Sequence, residues 1–431
     1  MVLSACRSVL FKPLATKTAI SNRYPYHVLR RKLSMPLTIT PLEGQGFGGK
    51  VTLPKGCTDP SELSKEDFKT LYEGLHKYLV LVIPGMKDLK PESQWKLTTM
   101  FDPTCDQSGK SYGHGKEFRH DKSVLRRDGT SVPNFPQVQV LGQGDWPAGH
   151  EGLGEFTLRH PVHFDFHKTP LTQEEAYDKH LTRFYRWHID SALYGLSPPV
   201  CTTLLGIHVP AHSNKLKVEY DDGDELEVTQ GATAFVSGAK AFELLTPEEQ
   251  KRALGTKVVY APHPYIFISP ARATSDGLTM VSEQKEMPLD ELPPWEESKV
   301  KELPLVWTNP VTKKHHLQVH GCCIHRLKYP DGTVLELEDA RKEVHRMMRP
   351  AIASKYVYAH DWEAGDLAIF YNRGVWHSVT GQFSPGERRL MHQCNIASGE
   401  DPVCVPEGFS APSTGVSSTI VDMVGKEEVV A

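Results

Sequence analysis

The stretch Trp362-Glu363-Ala364-Gly365-Asp366-Leu367-Ala368-Ile369-Phe370-Tyr371-Asn372-Arg373 carries the clearest structural signal in the chain. A Gly-Asp pair marks a turn, an apolar run follows, and Asn372-Arg373 ends it, which predicts a buried strand over 367–371 rather than a helix. The same pattern repeats outward from it. Strand-like segments fall at 136–141, 200–209, 215–219, 225–229, 232–237, 256–260 and 333–337, and Tyr78 to Ile83 is a further apolar run. Helical spacing is rarer. It is clearest at 240–253, at 338–348 and after Ser64, where Asp67 completes a pattern like a capping box and Phe68, Leu71, Tyr72 and Leu75 lie on one face. Many short strands separated by Gly, Pro and Asp predict a mainly β fold with added helices, a double-sheet jelly roll. Residues 101–135 and 142–180 are expected to be long loops, and 271–305 a connecting excursion.

The composition sets bounds on function. The 431 residues carry 49 Lys+Arg against 53 Asp+Glu, a net charge of -4, so no strongly basic phosphate-tracking surface is expected and a nucleic-acid partner is disfavoured. The longest clean apolar run ends at Pro84, far short of the ~20 residues that span a bilayer, so no transmembrane helix is expected. A small-molecule substrate fits better, and nothing in the sequence opposes a homo-oligomer. The eight cysteines show no CxxC pair, and without a secretory signal they point to an intracellular protein. Before Glu43 there is no acidic residue, whereas Arg7, Lys12, Lys17, Arg23, Arg30, Arg31 and Lys32 are basic, as in a mitochondrial presequence. A plain basic tail, or translation from Met35, explains the composition equally well. The expected organisation is a basic leader over 1–42, one domain over 43–403 and a disordered tail over 404–431, the protein being cytoplasmic, or mitochondrial if the leader is functional.

Several common motifs fail. Gly109-Lys110-Ser111 ends like a phosphate loop, but Thr104 and Cys105 stand where its leading glycine belongs. Gly142 and Gly144 begin a dinucleotide fingerprint that Pro147 breaks. Neither GxSxG nor HExxH occurs.

A metal site is better supported. In Phe184-Tyr185-Arg186-Trp187-His188-Ile189-Asp190 an extended backbone puts His188 and Asp190 on one face. Two such ligands take adjacent corners of an octahedral ion and await a distant histidine. Two histidines and a carboxylate leave three positions open, which suits non-heme Fe(II) with a bidentate cosubstrate and O2. The motif alone is unspecific, because His163-Phe164-Asp165-Phe166-His167 offers a rival set on one face.

The C-terminal pattern separates them. The 362–373 stretch, His377, and Arg388-Arg389-Leu390-Met391-His392-Gln393 resemble, in type and order, the TauD/TfdA family of Fe(II)- and 2-oxoglutarate-dependent dioxygenases. Gln230-Gly231-Ala232-Thr233-Ala234-Phe235-Val236-Ser237 resembles that family's G-G-D-T-x-F-A-S strand, with Ala232 in place of the acid, and Pro304-Leu305-Val306-Trp307-Thr308-Asn309-Pro310 its P-L-V-x-x-H-P element, with Asn309 in place of histidine. The resemblance implies a double-stranded β-helix, Fe(II) on His188, Asp190 and His377, and 2-oxoglutarate met by Thr233 and one of the arginines. Strand parity places Arg389, Met391, Gln393 and Asn395 on one face, which favours Arg389 for the cosubstrate's distal carboxylate.

Taurine dioxygenase-like members carry a substrate-binding arginine four residues after the cosubstrate arginine, where this chain has Gln393. A neutral amide cannot clamp a sulfonate. With Asn395, and with Gln137 and Gln139 alternating on another strand, it suits the N–H and C=O edges of a flat heterocycle. An ordinary solvent-facing strand side explains Gln137 and Gln139 as well. The stretch 182–194 together with 391–395 resembles the fungal xanthine dioxygenase branch, which implies oxidation of xanthine to urate. The same chemistry on another small molecule, such as a sulfonate, and a metal-binding jelly roll without catalysis are the alternatives.

Overall fold

A computed structural model describes residues 35–44, 46–105, 120–125 and 129–405. The leader up to residue 34, the tail from 406, and much of the loop expected at 101–135 lie outside the described residues. The strands that build the scaffold are β1 (Thr38–Pro41), β2 (Gly49–Thr52), β3 (Val80–Ile83), β4 (Thr130–Val132), β5 (Phe135–Trp146), β6 (Cys201–His208), β7 (Thr233–Ser237), β8 (Val357–His360), β9 (Leu367–Tyr371), β10 (Val375–Val379) and β11 (Arg389–Asn395). The main sheet runs β1-β2-β3-β9-β6-β11-β5-β4. The smaller sheet runs β8-β7-β10. The extended segment 184–188 continues it, bridging Phe184 to Thr380 and His188 to His377.

Side-chain parity explains why both sheets are buried. In β7, Phe235 packs with Phe370 of β9 and Met391 of β11 in the core between the sheets, whereas Ala234 and Val236 join Trp376 in a second core on the outer side. Each fully buried large apolar side chain contributes roughly 1.5–3 kcal/mol. The outer core is covered by the helices Gly238–Glu243, Pro247–Leu254 and Leu337–Met348 and by a small sheet built on Lys257–Tyr260 and Ile324–Lys328. The architecture is a double-stranded β-helix whose minor sheet is wrapped by a helical insertion.

The helix α1 (Lys65–Tyr78) begins where Ser64 accepts a hydrogen bond from the Asp67 N–H. It runs through Tyr78, and Leu79 turns with φ 66°, so the strand starts at Val80 rather than Tyr78. The helical pattern at 240–253 divides in two because Thr246 and Glu249 form a capping box that starts a new helix. β1 lies within the stretch assigned to the leader and pairs with β2, and at the other end Val405, the second residue of the expected 404–431 tail, donates its N–H to the Thr308 hydroxyl. The loop expected from 142 is strand as far as Trp146. Gly142 permits this: its φ is 150°, and a Cβ there would lie 1.8 Å from the Arg389 carbonyl oxygen.

Candidate metal centre and active site

His377 sits on β10, and the paired backbone bonds His188 N–H to His377 C=O and His377 N–H to His188 C=O hold the two histidines opposite each other. Their ring centroids are 4.0 Å apart. Asp190 Oδ1 lies 3.9 Å from His188 Nε2 and 3.6 Å from His377 Nε2. These three are, among the described residues, the one group of His, Cys, Asp or Glu whose ligand atoms gather within 4.8 Å. His188 Nδ1 faces the Arg186 carbonyl at 2.9 Å, which makes it the protonated nitrogen and leaves the Nε2 lone pair toward Asp190. Burial pushes the pKa of His188 well down, His377 and Arg186 adding to the effect, and burial likewise lowers His377 against the opposing pull of Asp190. Both rings are therefore neutral, the form that binds a metal. Two neutral imidazoles and a carboxylate converging from one side are a donor set that fits a divalent ion with open positions.

The rival set does not converge. His163–Asp165 forms a single 3-10 turn, so the strand parity that would align three ligands is absent. His163 and His167 are buried while Asp165 is exposed and lines a separate cavity of about 390 Å³ with Val124, Phe166 and Tyr185.

Asp190 is fastened on every side. Its Oδ2 accepts from the Thr202 hydroxyl at 2.6 Å and from Gln393 Nε2 at 3.2 Å. Asn372 accepts from its backbone N–H at 2.8 Å and donates to its carbonyl at 2.9 Å. Arg373 donates to the Pro198 and Glu400 carbonyls, so Asn372-Arg373 pins the loop that leaves the site. Thr202 is the participant that sequence reasoning missed. Its signal was faint: the polar Thr202-Thr203 pair within an otherwise apolar strand.

Arg389 and Thr233 meet on the inner face, Arg389 Nη2 donating to the Thr233 hydroxyl at 3.3 Å. Trp362 Nε1 also donates to that hydroxyl at 3.1 Å, which leaves the hydroxyl proton available to an incoming acceptor. Arg389 is buried, its Nε has no partner among the described residues, and burial alone lowers its pKa to about 10. A buried guanidinium without a carboxylate is a receptor for an anion. Arg388 points the other way, over the Trp146 ring at the surface.

β5 and β11 are neighbours with Gln139 directly opposite Gln393. Val138, Val140, Leu390, Cys394 and Ile396 form a small core on one face of this pair, which turns Gln137, Gln139, Gln393 and Asn395 to the other. Gln139, Gln393 and Asn395 are buried and Gln137 is half-buried with its Oε1 enclosed. Asn309 stands where the family pattern has histidine. It caps a turn through the Val311 and Thr312 N–H groups and bonds to the His76 carbonyl at 3.0 Å, a structural task.

A jelly roll carrying such a site matches the family described as taurine catabolism dioxygenase TauD, TfdA family over residues 38–395. The chain belongs to this family and is a 2-oxoglutarate-dependent dioxygenase, which uses 2-oxoglutarate and O2. It is 47% identical over 370 residues to an alpha-ketoglutarate-dependent xanthine dioxygenase of Emericella nidulans, covering 85% of this chain and 97% of that protein. The corresponding enzyme of Schizosaccharomyces pombe is 40% identical over 412 residues, covering 93% of this chain and 97% of that protein. A taurine dioxygenase structure from Burkholderia xenovorans superposes with a TM-score of 0.52 at 16% identity, covering 86% of this chain and 94% of that one, which establishes the shared fold.

Proposed function

We propose that this chain oxidises xanthine to urate, with conversion of 2-oxoglutarate and O2 to succinate and CO2, at an iron centre formed by His188, Asp190 and His377. The convergence of two neutral imidazoles and one carboxylate beside a buried, uncompensated Arg389 carries the reading, and the xanthine dioxygenases to which the chain is 40–47% identical supply the substrate. When bound, Fe(II) supplies the oxidative chemistry that side chains lack.

The chain's own residues bind and orient. Arg389 and Thr233 take the distal carboxylate of 2-oxoglutarate by charge-assisted and neutral hydrogen bonds. Thr202 and Gln393 hold Asp190 Oδ2, which leaves Oδ1 toward the two imidazoles. Gln137, Gln139, Asn395 and the remaining Gln393 oxygen line the wall for the heterocycle. The position four residues after Arg389 is an amide engaged with Asp190, so this wall has no cation for a sulfonate.

The test is anaerobic loading with Fe(II) and 2-oxoglutarate, addition of xanthine, hypoxanthine or taurine, and then O2, with succinate and urate measured. Xanthine should raise succinate release and yield urate in equal amount. Release stimulated by taurine and not by xanthine would refute the assignment.

A further inference from the structure

Two residues before His188 stands Arg186, for which the chemistry above has no task. Its side chain is 6% exposed. Among the described residues Nε and Nη1 are buried with no hydrogen-bond partner, and no carboxylate pairs with the side chain. Aromatic rings are its neighbours: its Cζ lies 5.2 Å from the Tyr265 ring centroid and 5.9 Å from that of Tyr185. Ring contacts of this kind offset only part of the cost of removing an ion from water. A guanidinium cannot escape by losing its proton. Among the described residues this positive charge is thus buried against aromatic rings and without an acid.

Its location gives that charge a purpose. Tyr265 donates its hydroxyl to the Ser191 carbonyl at 2.7 Å, immediately after Asp190. The Tyr265 ring is 5.8 Å from that of His320, which is 6.1 Å from that of His188. The Arg186 carbonyl itself orients His188. Arg186 and His188 are two residues apart in the extended segment that pairs with β10, so their side chains leave on the same face. Arg389 is likewise buried with its Nε unpartnered among the described residues, on the wall assigned to the cosubstrate.

We propose that Arg186 is a second anion-binding residue of this active site, receiving an oxyanion of a bound reactant: the deprotonated oxygen of the oxo-purine, or the 2-oxoglutarate carboxylate that Arg389 does not hold. Its planar fork presents parallel N–H donors to either group. The inference rests on the site proposed above, and it explains how a pocket whose β11 wall is lined by neutral amides still holds an acidic heterocycle beside the metal ligands.

Calorimetry on the full chain, loaded with Fe(II) under anaerobic conditions and titrated with 2-oxoglutarate and then with xanthine, reads the two sources separately. In Arg186→Met one of the two dissociation constants should rise about ten-fold or more, with Arg186→Lys recovering part of the loss. A rise in the xanthine arm assigns the oxo-purine, and a rise in the 2-oxoglutarate arm assigns the carboxylate. The ligand-free Met variant should melt at or above the parent, because an uncompensated buried charge has been removed. Both constants staying within about two-fold of the parent would overturn the proposal and leave Arg186 a packing residue. Should the Met variant not fold, the Lys variant decides by the same criterion. If the parent chain neither binds nor oxidises xanthine, the substrate assignment fails while the 2-oxoglutarate arm still reports on Arg186.

Discussion

The segments 163–167 and 188–190 carry the same residue types in the same short spacing, yet they have opposite fates. Around His188 the backbone is extended and locked by reciprocal bonds to His377, so a second strand delivers the third ligand. Around His163 the chain turns into a 3-10 helix, Asp165 faces outward, and His167 Nε2 is spent on the Tyr185 carbonyl at 2.9 Å. The same letters make a candidate metal site in one place and part of a buried core in the other. What differs is strand pairing.

Substitutions can break or sharpen that contrast. His188→Ala should abolish metal retention and lower succinate release by roughly 10³-fold or more, as loss of a direct ligand exceeds the 10–100-fold cost of losing an outer-shell partner. Wild-type turnover in this variant would dissolve the contrast altogether. Arg389→Ala removes one side of a buried charged contact, a loss of about 2–5 kcal/mol, so the KM for 2-oxoglutarate should rise on the order of 10²-fold or more with little change for xanthine. The surface Arg388→Ala provides the matched control, and an equal effect there would move the role between the two arginines. Thr202→Val should weaken metal binding by about 10–100-fold at unchanged 2-oxoglutarate affinity, read by chelator competition.

The histidines of the rival segment predict a pH effect instead of a catalytic one. Burial pushes His163 down to about 3 and His167 to about 4. Below the ordinary histidine value of about 6.5 the unfolded chain takes up protons that the folded chain refuses, so these groups lower stability as the medium is acidified. His167→Gln should flatten the stability profile between pH of about 6.5 and about 4 by about 1.4 kcal/mol per pH unit, measured by urea unfolding. An unaltered slope would show that His167 is protonated in the fold. The smallest effect belongs to Asp165→Asn, which should change stability by less than about 0.5 kcal/mol and leave turnover intact.

Much of this site was legible along the chain because its parts are local. The strand at 367–371 is bounded as its apolar run and Gly-Asp turn require, and the parity of 389–395 separates Arg389 from Arg388 because residues two apart share a face. Asn372-Arg373 was visible as a motif, but its work, pinning the backbone on either side of Asp190, needs the loop at 190–200 to fold back on it. Thr202 and Arg186 escaped notice for related reasons. A threonine in a strand and an arginine before a Trp-His pair are unremarkable until burial and the absence of partners are known.

The sequence by itself determined the periodicities, the order of the ligand-bearing motifs and the identity of the donors, since these depend on neighbours within a few residues. The tertiary structure alone decided which Asp-His set converges, that Gln393 and Thr202 close on one carboxylate oxygen, and that Arg186 and Arg389 are buried without an acid among the described residues. Desolvation and cross-strand register arise from contacts beyond a residue's sequence neighbours, as between Asp190 and Gln393 or His188 and His377, and no local pattern encodes them.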